Sequence, residues 1–472
     1  MIYKQKGNRK SDSYMTKMRK SIHMKGMNLL HFMLITGIMY TVWFTWYAPL
    51  LEASNAQTVS LSVCACYMLL FIFLLRTYNA YNIGFFRAGE VFYSQVLTNL
   101  FSNSITYVFA CLIQLRLLPV WPVLVVFCGQ TLVCAVWCIA ANRLYFKLHP
   151  PMKTLIIYQT ESDLEKLYEI VHFEKRFDVQ QKLKVDAMIY DILQALSGYQ
   201  AVIVSGVEAT LRNGIVKECI DRDINCYFIP HTGDIIIAGA KHQQSFSVPI
   251  MSAKRAMLRP EYAFAKRTLD ILLTMISLIL ASPFMLITAA AIKACNHGPV
   301  LYKQIRLTKD GKRFKILKFR SMRVDTEKDG IARLAADHDD HITPVGRVIR
   351  AIRFDELPQI FNILMGDMSI VGPRPERPEI AAQYEKEMPA FNLRLQVKAG
   401  LTGTAQVYGR YNTEPQDKLK MDLMYINQMS LVEDLRLIFA TVKILFMKES
   451  TTGVQRGQVT AVKQGQTMEK SA

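Results

Sequence analysis

At 472 residues, 51% of them hydrophobic and with a mean hydropathy of +0.14, the chain is too long for one small domain and too apolar for an ordinary soluble one. A formal net charge of +18 points to anionic partners. Its nine cysteines lack paired metal-ligand spacing, and six lie in apolar stretches, which argues against a disulfide framework or a thiolate metal site.

Residues 1–26 read as a basic cytoplasmic tail, with eight Lys or Arg in 1–25 against one acid, Asp12. Four apolar stretches follow, 27–48, 59–75, 91–113 and 117–141, each near the length that crosses a bilayer. The third is the weakest, being interrupted by Gln95, Asn99, Ser102 and Asn103. The segment 27–145 is therefore expected to be a membrane bundle of four helices. Arg76 and Arg87 in the second loop, and Arg143, Lys147 and Lys153 after the fourth helix, place both ends on the cytoplasmic side of the membrane. Arg116 is the one misplaced charge, and Trp46 and Trp121 fall at the outer interface. A cleaved leader is not expected, because no small-residue cleavage site follows the first apolar run.

From 151 to 250 the pattern changes. Short β-branched runs ("TLIIY", "VDAMIY", "AVIVSG", "CYFIP") alternate with helical stretches, predicting a small parallel, Rossmann-like α/β domain. The first strand runs into "QTESD" without a glycine-rich turn, so a structural or regulatory module is favoured over dinucleotide binding.

The stretch 268–292 is apolar again, with Ser282-Pro283 in its middle. Basic residues flank it on both sides, from Lys254 to Arg267 and from Lys293 to Arg313. A spanning helix would put one set outside, against the charge bias, whereas a helix broken at the proline and re-entering the inner leaflet keeps both inside. Further on, "DLRLIFATVKILFMK" sets Leu435, Ile438, Phe439, Val442, Leu445 and Phe446 on one helical face, interfacial or buried, and 450–472 is a polar tail.

The residues fit for chemistry lie between these two helices. In "AIRFDELPQIFNIL", Leu357, Ile360, Phe361 and Leu364 follow a helical spacing, with Asp355 at the expected N-cap and Gly366 as the stop. On its own that acid pair, Asp355-Glu356, reads as a helix start. Its neighbours change the reading. Arg374 stands between Pro373 and Pro375, a stiff mount for a phosphate-matching guanidinium. "VKAGLTGTAQVYGR" then concentrates Gly400, Gly403 and Gly409 between Lys398 and Arg410, where glycine permits close backbone approach to a ligand. "HDDH" at His338–His341 reads as a solvated loop sooner than as a metal site. The basic run 303–323 suits anionic lipid or a nucleotide sugar better than nucleic acid, given the membrane segment beside it.

The ordered set "KRTLDI", the Ser-Pro apolar run, "FKILKFRSM", "VGRVIRAIRFDELPQIFNILMGDMSIVGPRPE", "AGLTGTAQVYGR", "KMDLMYI" and "DLRLI" resembles the bacterial polyprenyl-phosphate sugar-phosphate transferases of the monotopic kind, over roughly 264–449. The resemblance implies a mainly α monotopic catalytic domain. It implies Asp355 as nucleophile on the sugar-bearing phosphorus of a UDP-sugar, with Glu356 assisting transfer to undecaprenyl phosphate. Arg350, Arg374, Gly403, Gln406, Arg410 and Asp434 would contact substrate or its phosphates, and Mg²⁺ would be held at Asp355. Ala399 and Tyr408 depart from the family's usual Pro and Asn. A hexose (glucose or galactose) donor is expected, with homodimer formation left open. The alternatives are an N-acetylhexosamine donor or an inactive membrane scaffold.

Overall fold

A computed structural model describes residues 2–51, 56–173, 175–185, 192, 194–243, 248–295, 298–322, 342–409 and 413–445. The fold is mostly helical, with several apolar helices and a small parallel sheet, and divides into two units, Met1–Ile229 and Pro230–Ala472.

In the first unit the apolar runs become α1 (Ile2–Val42), α2 (Ala56–Thr77), α3 (Ala88–Gln114) and α4 (Trp121–Leu148), all long and apolar enough to cross a membrane. The polar residues that weakened the third run face inward. Asn103 donates to Gln130 Oε1 (2.8 Å), and Gln130 donates to Tyr67 Oη (2.8 Å) and to the Ile35 carbonyl (3.1 Å). Gln95 donates to the Ala80 carbonyl (3.0 Å). Polar groups paired this way can sit between helices in lipid. Arg116 donates to the Leu50 carbonyl, an acceptor at the end of the short 3₁₀ turn Ala48–Leu50 beyond the first helix, which accounts for the misplaced charge. Trp46 and Trp121 meet edge to face at 5.1 Å.

Four strands follow: β1 (Met152–Tyr158), β2 (Phe177–Lys184), β3 (Ala201–Ser205) and β4 (Asn225–Phe228), with α5 (Glu161–Phe173) and α6 (Ala209–Asp221). They pair in parallel in the order β2-β1-β3-β4. Leu155, Ile157, Val202 and Val204 face α6, while Ile156 and Ile203 pack with Leu164 and Leu167 of α5, the period-2 alternation of a sheet covered on both faces. β2 was not expected. It is an edge strand rich in Gln and Lys, so it lacks the apolar run that reveals a central strand. The expected strand "VDAMIY" lies almost wholly outside the described residues. At the end of β1, Thr160 and Asp163 bond one another (2.6 Å), and a Cβ on Gly206 would meet the Asp163 carboxylate at 2.1 Å.

The sequence pattern carried the α/β domain to 250, but from Pro230 the chain belongs to the second unit. There α7 (Thr232–Ala238) buries Ile235 among Leu423, Ile426 and Leu437, and the short hairpin β5 (Lys241–Gln243) and β6 (Ile250–Ser252) follows.

The expected break at Ser282-Pro283 is not a break in the helix. α8 (Pro260–Cys295) runs through it unbroken. Pro283 cannot donate to the Ile279 carbonyl, and the Ser282 hydroxyl takes that acceptor instead, at 2.9 Å. Both flanks of the apolar stretch are fastened to the same unit. Upstream, Arg267 donates to the Ile363 and Leu364 carbonyls (2.6 and 2.8 Å), and Asp270 accepts from Ser369 Oγ (2.8 Å) and the Ile370 N–H (3.1 Å). Downstream, Ile292 packs with Phe319 and Ile349. Between them Leu272, Ile276, Ile279, Leu280, Leu286 and Ile287 are exposed.

The remaining elements are the antiparallel hairpin β7 (Leu301–Leu307) and β8 (Arg313–Phe319), then α9 (Pro344–Ala351), α10 (Gln359–Met365), β9 (Met368–Val371), α11 (Pro378–Glu387), β10 (Ala399–Thr402), α12 (Thr404–Val407), α13 (Pro415–Gln428) and α14 (Leu431–Leu445). β9 and β10 pair in parallel. On α14 the buried line runs through Asp434, Leu437 and Ala440, whereas the face expected from spacing, Leu435, Ile438, Phe439 and Val442, is only half-buried.

Candidate active site

The acid pair does not cap a helix. Arg353 takes a left-handed backbone (φ 56°), Phe354–Glu356 forms one 3₁₀ turn, and α10 begins at Gln359 with Pro358 at its N-cap. No side chain caps that helix, so the ordinary reason for an Asp at this position is missing. The left-handed backbone of Arg353 sets the acids on a turn of their own, and the regular helix begins only after Pro358, a residue that suits a helix's first turn.

Instead, both carboxylates meet β8. Phe314, Ile316 and Lys318 share a strand face by the period-2 rule. Phe314 and Ile316 pack with Ile363 and Met368. Lys318, next in the row, brings Nζ to 2.8 Å from Glu356 Oε1 and 4.0 Å from Asp355 Oδ2. Arg374 donates to the same Glu356 oxygen at 3.0 Å. Both acids are largely buried, at 15% and 14% side-chain exposure.

The two carboxyls respond in opposite ways. For Asp355, burial dominates and raises its pKa above the usual carboxylate range; Lys318 works against this, and the Glu356 charge adds to it. For Glu356, burial also favours the neutral acid, but Lys318 and Arg374 outweigh it and hold the group far below that range. One acid is thus a fixed, paired anion. The other is a carboxylate without a hydrogen-bond partner among the described residues, held in a basic surrounding that includes Arg350.

The mount of Arg374 is stiffer than two prolines alone would make it. Buried Arg394 donates to the Arg374 carbonyl (2.9 Å), and Arg306 donates to the Pro375 carbonyl (3.1 Å). Arg394 also pairs with buried Asp422 (2.7 Å), whose carboxyl burial nonetheless pushes up to about 6.

The glycines approach neighbouring backbone closely. A Cβ on Gly400 would lie 2.1 Å from the Gly372 nitrogen, one on Gly403 2.2 Å from the Gly372 carbonyl oxygen, and one on Gly409 2.3 Å from the Ala405 carbonyl oxygen. Gly400 and Gly403 let β10 close on the strand that leads into Arg374. Gln406 donates to the Leu401 carbonyl (3.1 Å), inside the same turn. Asp434 is placed elsewhere: 1% exposed, it accepts from Tyr262 (2.8 Å), Lys266 (2.9 Å) and Tyr425 (2.7 Å), tying α8 to α13 and α14. Arg410 and His338–His341 lie outside the described residues. Ser282 and Pro283 belong to α8 and its exposed apolar stretch.

Lys318 was not singled out from sequence, although "FKILKFRSM" contains it. The available signal was the alternation itself: Phe314 and Ile316 set a buried face, and a lysine next on that face needs an anionic partner.

Among the described residues no group of three or more His, Cys, Asp or Glu side chains comes together. The described residues alone therefore do not build a protein-made metal cage. The Asp355 carboxylate, 4.0 Å from Lys318 Nζ, does fit the way Mg²⁺ is usually held, through one or two carboxylates with waters and substrate phosphate oxygens.

Residues 261–448 match the family model described as bacterial sugar transferase. The chain is 44% identical over 189 residues to the UDP-N-acetylgalactosamine-undecaprenyl-phosphate N-acetylgalactosaminephosphotransferase of Aeromonas hydrophila, covering 39% of this chain and 44% of that protein. It is 36% identical over 248 residues to the UDP-glucose:undecaprenyl-phosphate glucose-1-phosphate transferase of Klebsiella pneumoniae, covering 52% and 53%. It is 38% identical over 186 residues to the exopolysaccharide production protein PSS of Rhizobium leguminosarum bv. phaseoli, covering 38% of this chain and 92% of that protein. The chain thus spans about half the length of the first two relatives.

Proposed function

This chain belongs to the bacterial sugar transferase family, and from there we propose that it transfers a hexose-1-phosphate from a UDP-sugar to undecaprenyl phosphate, the first step of an exopolysaccharide, capsule or O-antigen. The observation that carries the reading is the split acid pair: a paired anion, Glu356, beside an uncapped carboxylate, Asp355, both backed by Lys318 and Arg374.

In the first step an Asp355 oxygen attacks the sugar-bearing phosphorus. The bond to the bridging oxygen breaks, and UMP leaves with that oxygen. In the second, a lipid phosphate oxygen attacks the same phosphorus; the bond to Asp355 breaks and the carboxylate is regenerated. Covalent catalysis splits one difficult displacement into two. Two anions must approach, so Lys318, Arg350 and Arg374 offset charge as it builds on the phosphoryl oxygens. Mg²⁺ held by Asp355 together with substrate oxygens would supply further charge neutralisation. Glu356, an anion fixed between two cations, orients both of them and assists the attack of the lipid phosphate.

The tethering of both α8 flanks to one unit supports a helix that dips into the inner leaflet and keeps its basic flanks cytoplasmic. The acid pair then works where a lipid phosphate emerges. With four spanning helices and a Rossmann-like α/β domain upstream, the chain would be a multi-pass inner-membrane protein.

Incubating the purified chain with Mg²⁺ and each of UDP-glucose, UDP-galactose and the UDP-N-acetylhexosamines, without lipid acceptor, tests this. A phosphosugar adduct on the Asp355 peptide, lost in Asp355→Asn, is the expected mass-spectrometric result. The donor that forms it names the sugar, and an adduct from an N-acetylated donor alone replaces the hexose reading with the activity of the Aeromonas relative. Neither adduct nor UMP from any donor leaves an inactive scaffold. EDTA is expected to stop UMP release, and added Mg²⁺ to restore it.

A further inference from the structure

We propose that Asn362 is a positioning residue that sets the cation of the site against its acids, by fastening the strand that carries Lys318 to the helix that follows Asp355-Glu356; this rests on the transferase reading above.

β8 has two edges. One pairs with β7 from Arg313 to Phe319. On the other, the Lys315 carbonyl and the Leu317 N–H lie two residues apart and point the same way. The Asn362 side chain, 0% exposed, answers both: Oδ1 accepts from the Leu317 N–H at 2.9 Å, and Nδ2 donates to the Lys315 carbonyl at 2.9 Å. A side-chain amide offers a donor and an acceptor side by side, whatever the pH. Lys318 is the next residue along the strand, and Asn362 lies on α10, the first helix after the acid turn.

The consequence is a question of register. Sliding β8 along α10 by one residue moves each side chain by about 3.4 Å. That is more than the 2.8 Å separating Lys318 Nζ from Glu356, so the pairing would be lost. Ile316 packing against Ile363 fixes the depth of the strand but resists sliding poorly, because apolar contact is not directional. Two hydrogen bonds in a dry site do resist it, since breaking them leaves a buried N–H and a buried carbonyl unpaired. Asn362 touches neither acid through any of these bonds, and it acts through the strand.

The test is a double-mutant cycle on the full chain in detergent or nanodiscs. It uses Asn362→Ser, with Asn362→Leu as the near-isosteric variant that loses both donor and acceptor, each with and without Lys318→Met. UMP release is normalised to the number of adduct-forming sites, so that misfolded protein does not count. With Lys318 present, kcat is expected to fall about 10- to 100-fold while KM for the UDP-sugar stays within about threefold. In the Lys318→Met background the Asn362 change is expected to cost less than about twofold, since its target is gone. Equal losses in both backgrounds would make Asn362 merely structural and overturn the proposal. Absence of turnover in the wild type, by contrast, removes the transferase reading. The clamp is then read by hydrogen–deuterium exchange of the 313–319 peptide, where faster Leu317 exchange in Asn362→Ser supports it and unchanged exchange overturns it.

Discussion

Lys318 stands between two carboxylates at unequal distances, 2.8 Å from Glu356 and 4.0 Å from Asp355, so its removal should be felt at both, with a different result at each. Asp355 must be ionised to attack, and its carboxyl already titrates above the usual range because of burial. Lys318 is the main influence opposing that shift. In Lys318→Met, therefore, the acid limb of the pH–rate profile is expected to move to higher pH, and kcat to fall about 10²- to 10³-fold. Glu356 is the opposite case. Its depressed pKa adds stability above the unfolded carboxyl's range, and that stability is lost only as pH falls through the folded value. In the wild type the acid limb should accordingly report Asp355, and Glu356→Gln should leave its position lower or unchanged, since removing the neighbouring charge favours ionised Asp355. A limb that moved up in Glu356→Gln would show that Glu356 itself was titrating.

At the scale of elements, the region around Arg374 is built by backbone pressed on backbone. Gly372 bonds across to the Thr402 carbonyl (2.8 Å) and Gly400 to the Pro373 carbonyl (2.9 Å), an approach that any Cβ would block. Gly400→Ala and Gly403→Ala are expected to cost about 1–3 kcal/mol of stability in denaturant or thermal unfolding, as overpacking does. They should also lower turnover by displacing Arg374. If either variant kept full stability and lost only nucleotide-sugar affinity, the glycines would be serving a ligand after all. The buried Arg394–Asp422 pair on the other side of Arg374 is of the same kind. Arg394→Met would leave Asp422 buried without its partner, a change that typically costs about 3–5 kcal/mol.

For the whole molecule, the decisive feature is that α8 is anchored to one unit at both flanks, by Arg267 and Asp270 upstream and by Ile292 downstream, around an exposed apolar middle. A single cysteine at position 293, in an otherwise cysteine-free background, is expected to be labelled from the same side of the membrane as one placed before residue 260; labelling from the opposite side would mean a spanning helix. Much of this was legible in the linear order of residues. The apolar runs, the alternation of β1 and β3, and the acid pair with its proline-flanked arginine are local patterns, and local patterns are what composition and periodicity report. What stayed hidden depends on partners distant in sequence. The inward-facing glutamine and asparagines of α3 looked like a weak membrane span until Gln130 and Ala80 answered them. The close approach of Gly400 and Gly403 to the Gly372 backbone could not be read from the turn's own residues. The two tyrosines and the lysine that hold Asp434 are likewise distant from it or unmarked in the sequence. The sequence by itself determined which segments are long and apolar enough to cross a membrane and which residues could do chemistry, because hydrophobicity and ionisable groups belong to single side chains. Only the tertiary structure decided which charge faces which, since the burial and pairing that set Asp355 apart from Glu356 arise from a strand dozens of residues away.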